Sequence, residues 1–185
     1  MVALARCPEG DAQAADALLA APDLVLLVAD GIQDPGNLGT IIRTTAAAAA
    51  TAVAVTGESA DPWMPKTVRA SMGAVFKIPI LPFAAAALRD RLLASGTPVW
   101  VADARAAQEY TVAPLDPPLA IVIGSEAAGP GPAWDSAGAR VRIPLYGPVE
   151  SLNAAVAAAL LVYETARRRH AHHAPENQPG PIPRR

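Results

Sequence analysis

With 185 residues, 52% of them apolar and 17% charged, the chain has enough material for one domain with a sizeable core and falls outside the disordered class. Its apolar runs stop short of the roughly 18 residues of a membrane-spanning helix, and a lone Cys7 excludes an internal disulfide framework. The net charge of −2 hides a division: residues 1–166 carry 10 basic against 16 acidic residues and residues 167–185 five against one, so the body lacks the broad basic face of a general nucleic-acid binder.

In chain order, residues 1–22 are Ala-rich without a strand pattern and read as a linker with a short helix. Residues 24–29 are an unbroken apolar run closed by Asp30-Gly31, the pattern of a strand buried on both faces. Asp34-Pro-Gly36 reads as a turn. Residues 37–50 then read as a helix whose polyalanine end has high propensity but little surface to bury. Residues 51–56 form the next strand, and residues 63–72 a short helix. Residues 76–80 are expected as a short or edge strand, because Pro79 has no N–H to donate to a ladder. A helix over 83–94 ends before Gly96. Residues 99–102 and 119–123 are buried strands, 141–145 a short strand, and 151 to about 169 the last helix. Residues 174–185 are Pro-rich and polar, the composition of a disordered tail. Strands alternating with helices predict an α/β domain over residues 23–169, a mainly parallel sheet flanked by helices. Forty-three alanines against eight aromatic residues predict a core that relies on close approach of its elements.

Parallel sheets place ligands at the carboxyl ends of their strands. Three loops qualify here, at 30–37, 124–131 and 146–151. In the first, Gly36 and Gly39 permit close backbone approach and Asn37 is a good helix N-cap. Arg43, among Ile41, Ile42 and alanines, either snorkels or pairs with an anion. The second loop carries Gly124-Ser-Glu126 and Gly129. It matches neither the dinucleotide glycine fingerprint nor the phosphate loop of nucleotide triphosphatases. Taken alone, Glu126 fits a cap or a solvated turn. The third stretch puts Ser151 and Asn153 at the start of the last helix, Ser151 as its N-cap. No Cys/His cluster has zinc spacing, so no metal is expected. Trp63, Trp100 and Trp134 read as core or interface fillers, with base stacking open to Trp63. Arg167-Arg-Arg169 with His170, His172 and His173 reads as a solvated helix end on the favourable side of the dipole, with RNA phosphates or a metal as the other reading.

Taken together and in this order, these segments resemble the motifs of the SpoU/TrmH-type RNA 2′-O-ribose methyltransferases of the SPOUT superfamily. The resemblance rests on Asn37-Leu-Gly-Thr-Ile-Ile-Arg43, on Ile123-Gly-Ser-Glu126 with Gly129, and on Ile143-Pro-Leu145 with Glu150-Ser-Leu-Asn153. Val68-Arg-Ala-Ser-Met-Gly73 resembles a further family segment, and the match spans roughly residues 24–168. It implies a C-terminal trefoil knot whose loops form an S-adenosylmethionine site from Gly124, Glu126, Gly129, Ile143, Leu145, Ser151 and Leu152. It also implies a homodimer with the active site completed across the interface, the helix 151–169 being an interface element.

The implied reaction is methyl transfer to a ribose 2′-hydroxyl in the cytoplasm, on ribosomal RNA ahead of transfer RNA. Asn37, Arg43, Glu126, Ser151 and Asn153 are then the catalytic set. On this resemblance Arg43 stands at the reacting hydroxyl, clamping a phosphate that helps remove the proton or acting as the base itself. Asn37 orients Arg43 or the ribose, Ser151 and Asn153 hold the geometry, and Glu126 organises the loop. The alternative is a noncatalytic knotted RNA- or cofactor-binding protein of the same descent.

The chain departs from the family pattern at Ala46 to Ala50, at Leu145, and at Ala127, where the family has glycine directly after Glu126. Ala127 is tolerable if its backbone avoids positive φ. Many relatives carry a preceding RNA-recognition domain. Residues 1–22 are therefore expected to be the remnant of a linker to one, and residues 170–185 a basic tail.

Overall fold

The computed structural model describes residues 12–173; the readings for the first eleven residues and for the tail beyond 173 lie outside the described residues. The elements run α1 (Ala12–Leu19), β1 (Val25–Asp30), α2 (Pro35–Ala47), β2 (Ala52–Thr56), α3 (Pro65–Ala70), β3 (Ile80–Pro82), α4 (Ala85–Ala94), β4 (Val99–Ala102), β5 (Leu119–Ile123), β6 (Ala139–Val141) and α5 (Ala154–His173). Short 3-10 turns lie at Ala74–Phe76 and Pro132–Trp134.

The strands form one sheet in the order β3-β2-β1-β5-β4-β6, and every neighbouring pair is parallel. Alternate residues of a strand point to opposite faces. Leu24, just ahead of β1, and Leu26 and Val28 on it pack with α1 and α4, whereas Val25, Leu27 and Ala29 pack with α2 and α5. Both faces of the sheet are thus covered, which is why its central strands read as continuous apolar runs. Alanines at 52, 54, 120, 154, 155 and 158 are buried where helix and strand meet, so the alanine excess serves close packing. Gly39 is the extreme case. A Cβ there would stand 2.5 Å from the Ala70 Cβ and 2.6 Å from the Thr67 carbonyl, so α3 can lie directly on α2.

The chain winds outward from β1 to β3, crosses, and fills the other side through β4, β5 and β6. The carboxyl ends of these strands meet around a switch in strand order, where open parallel sheets hold ligands. No helix of the described residues is long and apolar enough to cross a membrane.

Several element boundaries differ from the sequence expectation. Helix α2 starts two residues early, with Asp34 as its N-cap. The Asp34 carboxylate accepts the Asn37 N–H at 3.0 Å, and Pro35 takes the first helical position, where a missing N–H costs nothing. Asn37 therefore lies in the first turn and is not the cap. Helix α2 also stops at Ala47, and the chain turns through Ala49 at φ +53. Strand β3 begins only at Ile80, because the preceding residues coil into the 3-10 turn. Pro79 joins the sheet through its carbonyl, which accepts from Val53 at 3.0 Å. Strand β6 lies at Ala139–Val141 and gives way after a single Glu109–Arg142 bridge, ahead of Pro144. Helix α5 begins at Ala154, three residues later than expected, with Asn153 as its cap.

Candidate active site

The loops that follow β4, β5 and β6, together with the start of α5, enclose a cleft of about 800 Å³. Ile143, Leu145 and Leu152 supply apolar wall, and Gly124, Glu126, Gly129 and Ser151 line the same space. Its lining holds four carboxylates, on Asp103, Glu126, Asp135 and Glu150, against the guanidinium groups of Arg105 and Arg140. Arg140 reaches both Asp103 and Asp135 at 3.2 Å, so an ion-pair triad forms part of the cleft wall.

The loop after β5 is pinned from several sides. Ser125 and Gly129 exchange backbone bonds of 3.2 and 2.9 Å, and the Ser125 hydroxyl accepts from Ala128 N–H at 3.1 Å. Gly129 takes φ +70, whereas Ala127 stays out of the left-handed region, so an alanine directly after Glu126 is unstrained. From below, the loop is held by Asp30, only 2% exposed, whose Oδ2 accepts the Gly131 N–H at 2.7 Å. The Asp30 Oδ1 accepts the Thr56 hydroxyl at 2.6 Å. Sequence reasoning passed over Asp30. Its signal was a charged residue closing a wholly apolar strand, where burial demands partners.

Beside the cleft, three residues from distant parts of the chain form one cluster. Glu126 Oε1 accepts from Asn153 Nδ2 at 2.7 Å, from Asn37 Nδ2 at 3.1 Å and from the Ala154 N–H at 3.2 Å. Asn153 Nδ2 also donates to Asn37 Oδ1 at 3.0 Å. The Asn153 Oδ1 caps α5, accepting from Ala155 and Val156 N–H at 3.0 and 3.3 Å. These bonds leave each amide one workable orientation. The carboxylate sits at the positive end of the α5 dipole, an arrangement that favours negative charge. Glu126 is thus occupied in joining α2, the loop after β5 and α5. Ser151 is exposed on the cleft wall, and its hydroxyl has no partner among the described residues.

Arg43 is not part of this cluster. Six residues beyond Asn37 it has turned about 120° away around the helix. It is exposed, without an ion-pair partner among the described residues, and lines a separate cleft with Met72 and Lys77. Asp34 pairs with Lys66 at 3.1 Å; that contact, then the Asn37 N–H, holds its carboxyl below the usual range. The arginines near the end of α5 are engaged with the protein. Arg167 and Arg168 bind Glu164, and Arg169 donates to the Ala48 and Ala49 carbonyls at the end of α2. Among the described residues no group of three His, Cys, Asp or Glu side chains could hold a metal ion.

Comparison with known proteins places these features in context. The model of the SpoU rRNA Methylase family matches residues 24–163. The chain is 40% identical over 146 residues to the 23S rRNA (guanosine(2553)-2′-O)-methyltransferase RlmP of Bacillus subtilis, covering 78% of this chain and 58% of that protein. An AdoMet-bound rRNA methyltransferase from Sinorhizobium meliloti superposes with TM-score 0.77 at 35% identity, over 83% of this chain and 59% of that one. The SpoU methyltransferase AviRb of Streptomyces viridochromogenes, in complex with AdoMet, gives 0.78 at 31% identity, over 89% and 66%. The chain thus spans less than two thirds of the length of these relatives.

Proposed function

Because the chain belongs to the SpoU rRNA methylase family, we propose that it moves a methyl group from S-adenosylmethionine to a ribose 2′-hydroxyl of RNA. Ribosomal RNA is the favoured substrate, as for the relative from Bacillus subtilis. One observation carries this reading: Asn37, Glu126 and Asn153, each from a different motif, meet beside a cleft of small-molecule size.

The residues present fit the cofactor. Small-molecule clefts run to roughly 300–1,000 Å³. Ile143, Leu145 and Leu152 offer an apolar bed for adenine, and backbone groups of the loop 124–131 can meet its polar edge. An excess of carboxylates on the walls suits a ligand that carries a sulfonium and an ammonium. Bound there, S-adenosylmethionine supplies a methyl group already activated for transfer.

The chain must then orient the hydroxyl in line and relieve it of a proton. A guanidinium keeps its proton and is a poor base, so Arg43 clamps an RNA phosphate that helps to remove the hydroxyl proton. Glu126 holds Asn37 and Asn153 in register, and Ser151 has a hydroxyl free for the ligand. Arg43 stands apart from the cluster within one chain; a second copy completes the site, and the protein acts as a homodimer. The exposed apolar stripe Val156, Leu160 and Tyr163 on α5 is the surface for that pairing. The return of α5 onto the loop after β5 supports a C-terminal trefoil knot. A cytoplasmic setting follows from the substrate.

The test is a titration with S-adenosylmethionine, followed by tritiated-methyl transfer to total RNA and mapping of 2′-O-methyl sites with and without the gene. Loss of a mapped site with the gene supports the reading. Cofactor uptake without transfer would instead mark a noncatalytic binding protein, and no uptake overturns both.

A further inference from the structure

We infer that the surface formed by Arg69, Met72, Phe76 and Lys77, adjoining Arg43, binds an unpaired stretch of RNA beside the nucleotide being modified. The inference rests on the RNA methyltransferase reading above and gives that reading a location for the substrate strand.

The first observation is electrostatic. Arg43, Arg69 and Lys77 have no ion-pair partner among the described residues, whereas every other Lys and Arg from Lys66 to Arg168 has one. In a chain whose first 166 residues are acidic overall, the three uncommitted cations lie on neighbouring elements. Arg43 and Lys77 line one cleft of about 560 Å³ with Met72, and Arg69 closes the turn of α3 that leads to Met72. Unpaired cations gathered on an acidic protein suit a polyanion, which releases its counterions on binding.

The second observation is apolar. Met72 is 72% exposed and Phe76 69% exposed, among the most open large apolar side chains of the fold. Met72 sits just past the end of α3 at φ +50, where glycine is the usual residue and an L side chain is strained. Phe76 lies against the half-buried Trp63, ring centroids 6.1 Å apart. An exposed aromatic ring on a segment bounded in the chain by Arg69 and Lys77 can hold an unstacked base while the cations follow the phosphates. A paired helix offers no free base faces, so the occupant is single-stranded. The stripe on α5 has apolar side chains at 156, 160 and 163, and Arg167, Arg168 and Arg169 of that helix are engaged within the protein, so it suits a second copy of the chain; this face suits RNA.

The experiment uses the full chain and a fluorescein-labelled, mixed-sequence single strand of RNA about 16 nucleotides long, with its blunt duplex for comparison. Anisotropy titrations run over a series of salt concentrations. The wild-type chain binds the single strand more tightly than the duplex. R69Q/K77Q lowers the salt slope by about 1.4, at roughly 0.7 per lost phosphate contact. F76A weakens binding roughly tenfold at every salt concentration and leaves the slope alone. R89Q/R91Q, on the opposite face of the sheet, changes nothing. Independently of any variant, RNA carrying 4-thiouridine should photocrosslink to the tryptic peptide of residues 70–77, which holds Met72 and Phe76.

Unchanged affinity and slope in both test variants, or crosslinks confined to other peptides, overturns the inference. So does a shift of these variants from dimer to monomer in sedimentation, which would make the face an interface between copies. Wild-type methyl transfer to RNA, measured in parallel, separates the two failures. Transfer with unaffected variants removes this surface alone; absence of transfer and of cofactor uptake removes the enzymatic reading.

Discussion

Replacing Gly124 by alanine adds one methyl group where the loop after β5 doubles back on itself. The new Cβ would stand 1.9 Å from the Pro130 nitrogen, 2.0 Å from the Gly129 carbonyl carbon and 2.4 Å from its oxygen. Non-bonded carbon contacts settle near 3.5 Å, so the segment at 129 and 130 must retreat by about 1.5 Å. That segment is backbone and is held by the Ser125–Gly129 pair and by Gly131 on Asp30, so it cannot move alone. Loss of two such bonds at about 1 kcal/mol each, with overpacking of about 1 kcal/mol or more, totals about 3 kcal/mol.

If the loop keeps its shape, this strain appears in global stability, a fall in Tm of roughly 6–12 °C. If the loop opens, it appears in the cleft, as a loss of roughly a hundredfold or more in S-adenosylmethionine affinity. Calorimetric titration and a thermal scan read the two together. Gly147→Ala is the matched control, since nothing lies within 4 Å of its added Cβ and both readouts should stay at wild type. Should Gly124→Ala bind the cofactor within threefold of wild type and melt within about 2 °C of it, the close approach of the loop does not shape the site.

Further substitutions separate the roles of individual groups. Arg43→Ala should abolish methyl transfer while S-adenosylmethionine affinity stays within about twofold, since Arg43 lies outside the cleft proposed for the cofactor; a parallel loss of cofactor binding would falsify its assignment to the RNA. Asp30→Ala leaves the Thr56 hydroxyl and the Gly131 N–H without their acceptor, at a cost of about 2–4 kcal/mol in chemical denaturation. Asp30→Asn should recover part of that, and an Ala variant as stable as wild type would remove Asp30 from the loop's support. The Glu164 carboxyl is held below its ordinary 4.5 chiefly by Arg167 and then by Arg168, against the opposing effect of burial. A lowered carboxylate contributes stability above the unfolded value and loses it as pH falls through the folded one. Glu164→Gln should therefore lessen the decline in denaturation midpoint below about pH 4.5; an unaltered acid limb would show the pairs contribute nothing.

The strands were legible because burial on both faces leaves a continuous apolar signature. Residues 119–123 are delimited by sequence and by structure alike, and the parallel order follows from the helices between the strands. The boundaries that moved depend on single hydrogen bonds, which composition does not report. Asp34 outcompetes Asn37 as a cap because Pro35 can follow it without an N–H, and Asn153 caps α5 because its carbonyl oxygen reaches two free N–H groups. The seven cofactor candidates came from motif resemblance; their common cleft is a tertiary fact that no local pattern contains. The separation of Arg43 from Asn37 could have been foreseen from helical periodicity, six residues apart on one helix. So could the pairing of Arg167 with Glu164, three residues apart on α5; the reach of Arg168 and Arg169 could not, since it depends on where residues 111–116 and the end of α2 lie.

Helices α2 and α5 lie more than a hundred residues apart in the chain, yet they are fastened at both ends, by Asn37 with Asn153 and by Arg169 with the Ala48 and Ala49 carbonyls. They run side by side in the same direction, with Ile41, Ile42, Leu161 and Val162 buried in the same core. Such a pair opens as one cooperative unit. Their amide protons should exchange on a shared timescale, and Arg169→Ala should hasten exchange in α2 as well as in α5. A ligand that orders Asn153 at one end would then slow exchange at the far end of α2, next to Arg43, without touching it.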